Sequence, residues 1–141
     1  MKTVTGKGKR KSMKSLPARE KAEYCAIVAL EHKAIDLILL RVEELSSFAD
    51  YFVICTGKSS RHVLAISEHI EMTLRKKGVK PLGIEGRKHG HWVLLDYDDV
   101  IVHIFYEPVR RFYDLESLWS DAEKILIEKE IRGEKSKDED F

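Results

Sequence analysis

Two apolar runs around a short acidic turn, in the stretch HWVLLDYDDVIVHIF at residues 91–105, constrain the fold of this chain more than any other feature. Both runs are rich in β-branched and aromatic residues, so the stretch predicts a β-hairpin. In the first run, Trp92 and Leu94 point to one face and Val93 and Leu95 to the other, and both faces are apolar. Strands of this kind must be covered on both faces. The hairpin therefore belongs to a layered sheet, covered by helices or by a partner.

The rest of the chain predicts helices and strands around this hairpin. In chain order they are a helix at 18–34, strands at 36–42 and 50–56, a helix from Ser60 to Lys77, a short extended piece at 80–86, the hairpin strands at 91–95 and 100–106, and a final amphipathic helix at 115–130. This order, αββαβββα, predicts a single α/β domain with a mixed β-sheet flanked by helices.

Local signals set some boundaries and the buried faces. Ser59 or Ser60 is expected to cap the second helix, Gly78 to end it, and Pro108 to stop the last hairpin strand. Each helix has an apolar face that is predicted to point inward. In the first helix this face consists of Ala22, Cys25, Ala26, Ala29 and Leu30, and in the second of Val63, Ile66, Ile70 and Leu74. In the last helix it consists of Leu115, Leu118, Trp119, Ala122, Ile125 and Leu126.

Size and composition favour one cytoplasmic domain. A chain of 141 residues that is 43% hydrophobic is long enough for one modest core. No apolar run approaches the 18 or so residues of a membrane span, and the N-terminus does not resemble a signal peptide, so we expect no membrane partner. Cys25 and Cys55 lie far apart inside apolar patterns, which predicts buried, reduced thiols.

Charge is distributed unevenly along the chain. Residues 1–21 carry eight Lys or Arg against one acidic residue, whereas the remainder carries 17 against 23. We therefore divide the chain into a basic arm at 1–17, predicted to be disordered, a folded domain at 18–130 and a polar tail at 131–141. Three interpretations of the arm stay open: a contact for rRNA phosphates, a solubilising tail, or an artefact of the assigned start site.

The stretch TGKSSR, residues 56–61, has the glycine-lysine-serine order of a phosphate-binding loop. A Walker-type loop also needs a glycine five positions before its GK pair, so that backbone N–H groups surround the phosphates. Phe52 occupies that position, inside a predicted strand. We interpret the stretch as a tight turn and a helix cap, although Arg61 and His62 leave anion binding at the helix end open.

The acidic turn offers a second route to enzyme chemistry. Asp96 and Asp98 are spaced like the paired carboxylates that hold magnesium in nucleotidyltransferases. The alternative is a hairpin reversal, which aspartate favours because it tolerates unusual dihedral angles. His89 and His91 lack further ligands at a recognisable zinc spacing. The sequence thus predicts no metal, no cofactor and no catalytic residue, with a minimal nucleotidyltransferase as the enzyme alternative.

Three stretches carry a family resemblance. DYFVICTGKSSRHVLAISEHI, GIEGRKHGHWVLLDYDDVIVHIF and RRFYDLESLWSDA resemble the ribosomal silencing factor family, also called Iojap-like, over about residues 18–124. The resemblance implies a non-enzymatic cytoplasmic factor that binds large-subunit ribosomal protein fourteen and stops the small subunit from joining. Translation is thereby repressed when nutrients are scarce. It also implies a fold similar to a nucleotidyltransferase fold without catalytic residues.

The same resemblance places partner binding on the hairpin. It carries over to Trp92, Leu94 and Asp96, and further to His103. The chain departs from the family at the turn, where Asp98 stands in place of a common glycine and is expected to adopt a positive φ at some cost. An RNA-binding module acting in ribosome assembly, built on the arm and on RKKGVK at 75–80, is the other alternative, and a homodimer stays open.

Overall fold

A computed structural model describes residues 16–127, which form one mixed sheet with helices on both faces. The elements are α1 (Ala18–Glu31), β1 (Ile35–Arg41), β2 (Tyr51–Gly57), α2 (Ser60–Lys76), β3 (Gly83–Glu85), β4 (Trp92–Asp96), β5 (Val100–Tyr106), α3 (Glu107–Tyr113), a 3-10 helix (Leu115–Trp119) and β6 (Glu123–Ile125). The predicted α/β class is confirmed, and the hairpin of β4 and β5 lies where the sequence places it.

The sheet has the strand order β3-β4-β5-β2-β1-β6. Its central pair, β2 and β5, is parallel, and the other neighbours are antiparallel. All seven residues of β2 are buried, as expected for a central strand that is covered on both faces. The parallel pairing brings the carboxyl ends of β2 and β5 together, and α3 begins directly at that end.

The larger part of the core lies between the sheet and the helices α1 and α2. Its fully buried side chains include Ala22, Cys25, Ala26 and Ala29 from α1, Val63, Ile66, Ile70 and Leu74 from α2, and Val93, Leu95, Val102 and Ile104 from the hairpin. Leu30 packs against this cluster while partly exposed. The predicted apolar faces of both helices are therefore confirmed. Cys25 and Cys55 are buried free thiols, and burial raises the pKa of Cys55 to about 12.

The ends of α2 follow the local signals. Ser59 is the N-cap, and its side-chain oxygen accepts a hydrogen bond from the backbone N–H of His62 at 3.1 Å. Such a cap satisfies one of the free donors in the first helical turn. Gly78 follows the helix with a φ of +82°, a conformation that glycine adopts without strain.

The predicted final helix at 115–130 is wrong over the residues that the structure describes. Leu115–Trp119 forms a 3-10 helix, and Glu123–Ile125 pairs antiparallel with β1 as an edge strand. Leu118 and Leu126, predicted to face inward, are 76% and 71% exposed. The backbone groups along the outer edge of β1 need partners, and that pairing outweighs the local helical pattern.

The predicted arm and tail fall almost entirely on residues 1–15 and 128–141, outside the described part of the chain. The last two residues of the predicted arm belong to the folded domain. Leu16 packs against the main core, and the carbonyl of Pro17 accepts the Lys21 N–H at 2.8 Å at the start of α1.

Candidate functional site

The two faces of the hairpin have different environments. Val93 and Leu95 are completely buried beneath the helices, whereas Trp92, Leu94 and Asp96 are only half-buried on the opposite face. In the pairing with β5, Trp92 lies opposite Phe105 and Leu94 lies opposite His103. The structure therefore brings the four predicted site residues, Trp92, Leu94, Asp96 and His103, together on one face of the sheet. We call this face the hairpin surface.

His103 lies beneath Trp92. The indole Nε1–H of Trp92 donates to Nδ1 of His103 at 3.2 Å. His103 itself is buried, with 6% of its surface exposed. The Phe52 ring and the imidazole pack in a T-shaped arrangement at a centroid distance of 5.3 Å. Burial lowers the pKa of His103 to about 4, so the ring is neutral near pH 7 and its Nδ1 can accept. His103 thus supports Trp92 and offers little surface of its own.

Asp96 holds the hairpin turn. Its Oδ1 accepts a hydrogen bond from the backbone N–H of Asp98 at 2.8 Å, and Asp98 has a φ of +78°. The positive φ expected at Asp98 is confirmed. A carboxylate that accepts from the backbone two residues further on is a common stabiliser of turns. Within residues 16–127, no group of three or more His, Cys, Asp or Glu side chains is arranged to hold a metal ion.

The turn is also fixed to the body of the protein. Nζ of Lys21 on α1 lies 2.8 Å from Oδ1 of Asp99 and 3.3 Å from the carbonyl oxygen of Tyr97, and both Lys21 and Asp99 are buried. The Asp99 carbonyl accepts from the backbone N–H groups of Asp50 and Tyr51 at 2.8 and 3.1 Å. These contacts hold the hairpin turn in one position relative to α1 and β2.

Sequence reasoning missed two aromatic residues beside the hairpin surface. Tyr113, the last residue of α3, packs on Trp92 with ring centroids 5.0 Å apart, and Phe112 packs edge-on against Tyr113, also at 5.0 Å. Phe112 and Tyr113 are 79% and 53% exposed. The signal was the FY pair after Pro108, but its position beside Trp92 depends on where α3 folds back.

The loop before α2 uses its own polar groups internally. The N–H of Lys58 donates to Nδ1 of His62 at 2.9 Å, and Nε2 of His62 lies 2.8 Å from the carbonyl oxygen of His32. A side chain on Gly57 would lie 2.8 Å from the Val63 side chain, so this glycine permits close packing of the strand and helix. The loop thus has the structure of a turn and a cap, in which the backbone N–H groups of Lys58 and His62 already have acceptors.

A cleft of about 670 Å³ lies at the carboxyl end of β2, beside α3. It is lined by Asp36, Leu37, Ile38, Thr56, Glu107, Arg110, Arg111, Asp114 and Glu116. The guanidinium of Arg110 is already engaged by Thr56 Oγ1 at 2.8 Å, by Glu116 at 3.2 Å and by the Asp36 carbonyl. Because carboxylates outnumber arginines here, the lining does not favour an anionic nucleotide.

Residues 16–127 contain no helix long and apolar enough to cross a membrane.

The family model described as "Ribosomal silencing factor during starvation" matches residues 15–141. A ribosomal silencing factor from Halalkalibacterium halodurans is 36% identical over 98 residues, covering 70% of this chain and 84% of that protein. The chloroplastic Iojap protein of Zea mays is 35% identical over 102 residues, covering 72% of this chain and 44% of that protein. A crystal structure of a Chromobacterium violaceum protein matches with a TM-score of 0.73 at 33% identity, covering 74% of this chain and 88% of that one.

Proposed function

Because the chain belongs to the ribosomal silencing factor family, we propose that it binds the large ribosomal subunit through the hairpin surface and stops the small subunit from joining. The observation that carries this proposal is Trp92, a half-exposed aromatic side chain held by His103 on one side and Tyr113 on the other. Aromatic side chains in fixed positions, surrounded by apolar and polar contacts, are typical centres of protein interfaces.

Charge favours a protein partner over RNA at this surface. Residues 92–119, which include β4, β5, α3 and the 3-10 helix, carry six acidic side chains against two arginines. RNA binding relies on cations that neutralise phosphates, and this segment has the opposite balance. A basic protein surface on the ribosome is the complementary partner, and ribosomal protein fourteen of the large subunit is the one that we propose.

The proposed mechanism is steric and needs no catalysis or cofactor. The protein occupies a surface that subunit joining requires, and translation in the cytoplasm falls when enough large subunits carry it. The contacts of Lys21 with the turn and of His103 with Trp92 support this role, because a surface held in its bound shape loses little conformational entropy on binding.

Sedimentation with purified ribosomal subunits tests the proposal. We expect the protein to migrate with the large subunit, and adding it should reduce the amount of joined ribosomes that form when small subunits are supplied. In a second experiment, the protein should bind isolated ribosomal protein fourteen more tightly than naked rRNA. Migration with the small subunit, or unchanged subunit joining at saturation, contradicts the proposal. A saturable magnesium-dependent nucleotide isotherm would favour the nucleotidyltransferase alternative.

A further inference from the structure

We infer that Phe112 and Tyr113 extend the hairpin surface onto α3 and that their rings receive a lysine or arginine side chain of the partner protein. The inference rests on the proposed function, since it extends the hairpin surface onto α3. It adds a recognition element of defined chemistry, a cation over an aromatic face, to a surface so far described by Trp92, Leu94 and Asp96.

The first observation is continuity. Trp92, Tyr113 and Phe112 form an unbroken row of rings, with successive centroids 5.0 Å apart. Single exposed apolar residues are common on protein surfaces, whereas adjoining ones form a patch that marks an interaction site. Trp92 is half-buried and the other two rings are mostly exposed, so the row begins in the hairpin surface and continues outward on α3.

The second observation is that α3 is held firmly. Arg110 is buried and joins α3 to β2 through Thr56, to the start of β1 through the Asp36 carbonyl, and to the 3-10 helix through Glu116. Asp114 ends the helix in a left-handed conformation, φ +47°, and its carboxylate accepts from the Ser117 hydroxyl. The two exposed rings are therefore presented by a fixed backbone, which lowers the entropy that binding must remove.

The third observation is charge. Asp114 directly follows Tyr113, and Asp96 lies on the same face of β4 as Trp92. The exposed cation of α3, Arg111, lies 3.3 Å from Glu107 in an ion pair. The face of an aromatic ring carries partial negative charge, so a ring in acidic surroundings attracts cations and disfavours phosphate. The occupant is therefore a basic side chain of a protein, and arginine suits it best because its planar guanidinium can stack on a ring.

Binding of purified large subunits by matched variants tests this inference. Tyr113→Phe keeps the ring face and should bind within about twofold of the unaltered protein, whereas Tyr113→Leu keeps an apolar side chain without the ring and should weaken binding about fivefold. Phe112→Leu, at a still more exposed position, should weaken binding in the same direction. Phe48→Leu is the control. This ring is 84% exposed in the loop between β1 and β2, at the end of the strands that lies opposite α3.

The outcomes separate this inference from the proposed function. Equal binding by Tyr113→Leu and Tyr113→Phe overturns the role of the rings, as does an equal loss with Phe48→Leu. If Trp92→Ala weakens binding while the Tyr113 and Phe112 variants bind normally, the hairpin surface stands and only the extension onto α3 is wrong. If the Trp92 variant also binds normally, the proposed docking surface is wrong as well. Thermal melting of each variant identifies losses that come from unfolding.

Discussion

Lys21 and Asp99 form a buried ion pair, with Nζ 2.8 Å from Oδ1, between the first turn of α1 and the turn of the hairpin. The two residues are 78 positions apart in the chain. A buried ion pair contributes little compared with an apolar replacement, but removing one partner leaves a buried charge uncompensated. The pair therefore fixes where the hairpin sits more than it adds to stability.

Breaking this pair from one side should destabilise the protein strongly. We expect Lys21→Met to lower the free energy of unfolding by about 3–5 kcal/mol, because the Asp99 carboxylate stays buried without its cation. The double variant Lys21→Met with Asp99→Leu should recover a large part of that loss. Urea denaturation followed by circular dichroism measures both values. A single variant within about 1 kcal/mol of the unaltered protein would show that solvent reaches the pair.

His103 should make stability depend on pH. Its pKa is about 4 in the folded protein, below the ordinary value of 6.5, because burial disfavours the imidazolium. As pH falls, His103 of the unfolded chain binds a proton before His103 of the folded protein does. The free energy of unfolding is therefore unaffected by this histidine above pH 6.5 and decreases progressively between pH 6.5 and pH 4. Over this range His103 lowers the free energy of unfolding by on the order of 3 kcal/mol.

The matched control for this pH dependence is His103→Asn, whose side-chain oxygen can still accept from the Trp92 indole. Unfolding free energies of both proteins, measured between pH 7 and pH 4, should diverge as the pH falls, with the steeper decline in the unaltered chain. Parallel curves would mean that His103 does not titrate below its ordinary range.

Trp92→Ala should weaken binding to the large subunit. Truncating an aromatic residue at the centre of an interface typically costs at least 2 kcal/mol, about thirtyfold in affinity. Trp92 also covers His103, so a more conservative Trp92→Phe variant belongs beside it, with the ring retained and the indole donor removed. Normal binding by a folded Trp92→Ala protein contradicts the proposed site, and loss of folding in both variants would assign Trp92 to the core.

Asp96→Asn separates charge from turn geometry. The amide oxygen can replace Oδ1 as the acceptor for the Asp98 N–H, so stability should change by less than about 0.5 kcal/mol. Binding to a basic partner should weaken about twofold to fivefold at low salt, and the difference should shrink as salt rises. Asp96→Lys, which reverses the charge and removes the acceptor, should be weaker still. If the affinity of the unaltered protein and that of the Asp96→Asn variant depend on salt in the same way, this charge has no role in binding.

Gly57→Ala should destabilise the protein while Lys58→Ala leaves it unchanged. A side chain at Gly57 would lie 2.8 Å from the Val63 side chain and 2.9 Å from the Val63 backbone nitrogen, so α2 would have to shift, at about 1–3 kcal/mol. The exposed Lys58 contributes its backbone N–H, which alanine retains. Thermal melts of both variants test this assignment, and loss of function from Lys58→Ala without unfolding would reopen the phosphate-loop interpretation.

Local features of the sequence were sufficient for most elements of the fold. Apolar periodicity located α1, α2 and the hairpin strands. Ser59 or Ser60 was predicted to begin α2 and Gly78 to end it, and Ser59 is the cap. The positive φ of Asp98 followed from its place in a tight turn. Each of these features depends on residues within a few positions of one another, so a pattern in the sequence reports it directly.

Tertiary structure decided what those patterns leave undetermined. Residues 123–125 became an edge strand because β1 had an unpaired edge, and Tyr113 became part of the candidate site because Arg110 fixes α3 beside Trp92. The burial of His103 depends on rings from β2 and β4 that meet only in the folded sheet. The sequence by itself determined the α/β elements and the face on which Trp92, Leu94 and Asp96 lie, since periodicity is local. Which distant side chains support or extend that face was set by packing between residues far apart in the chain, which no local pattern records.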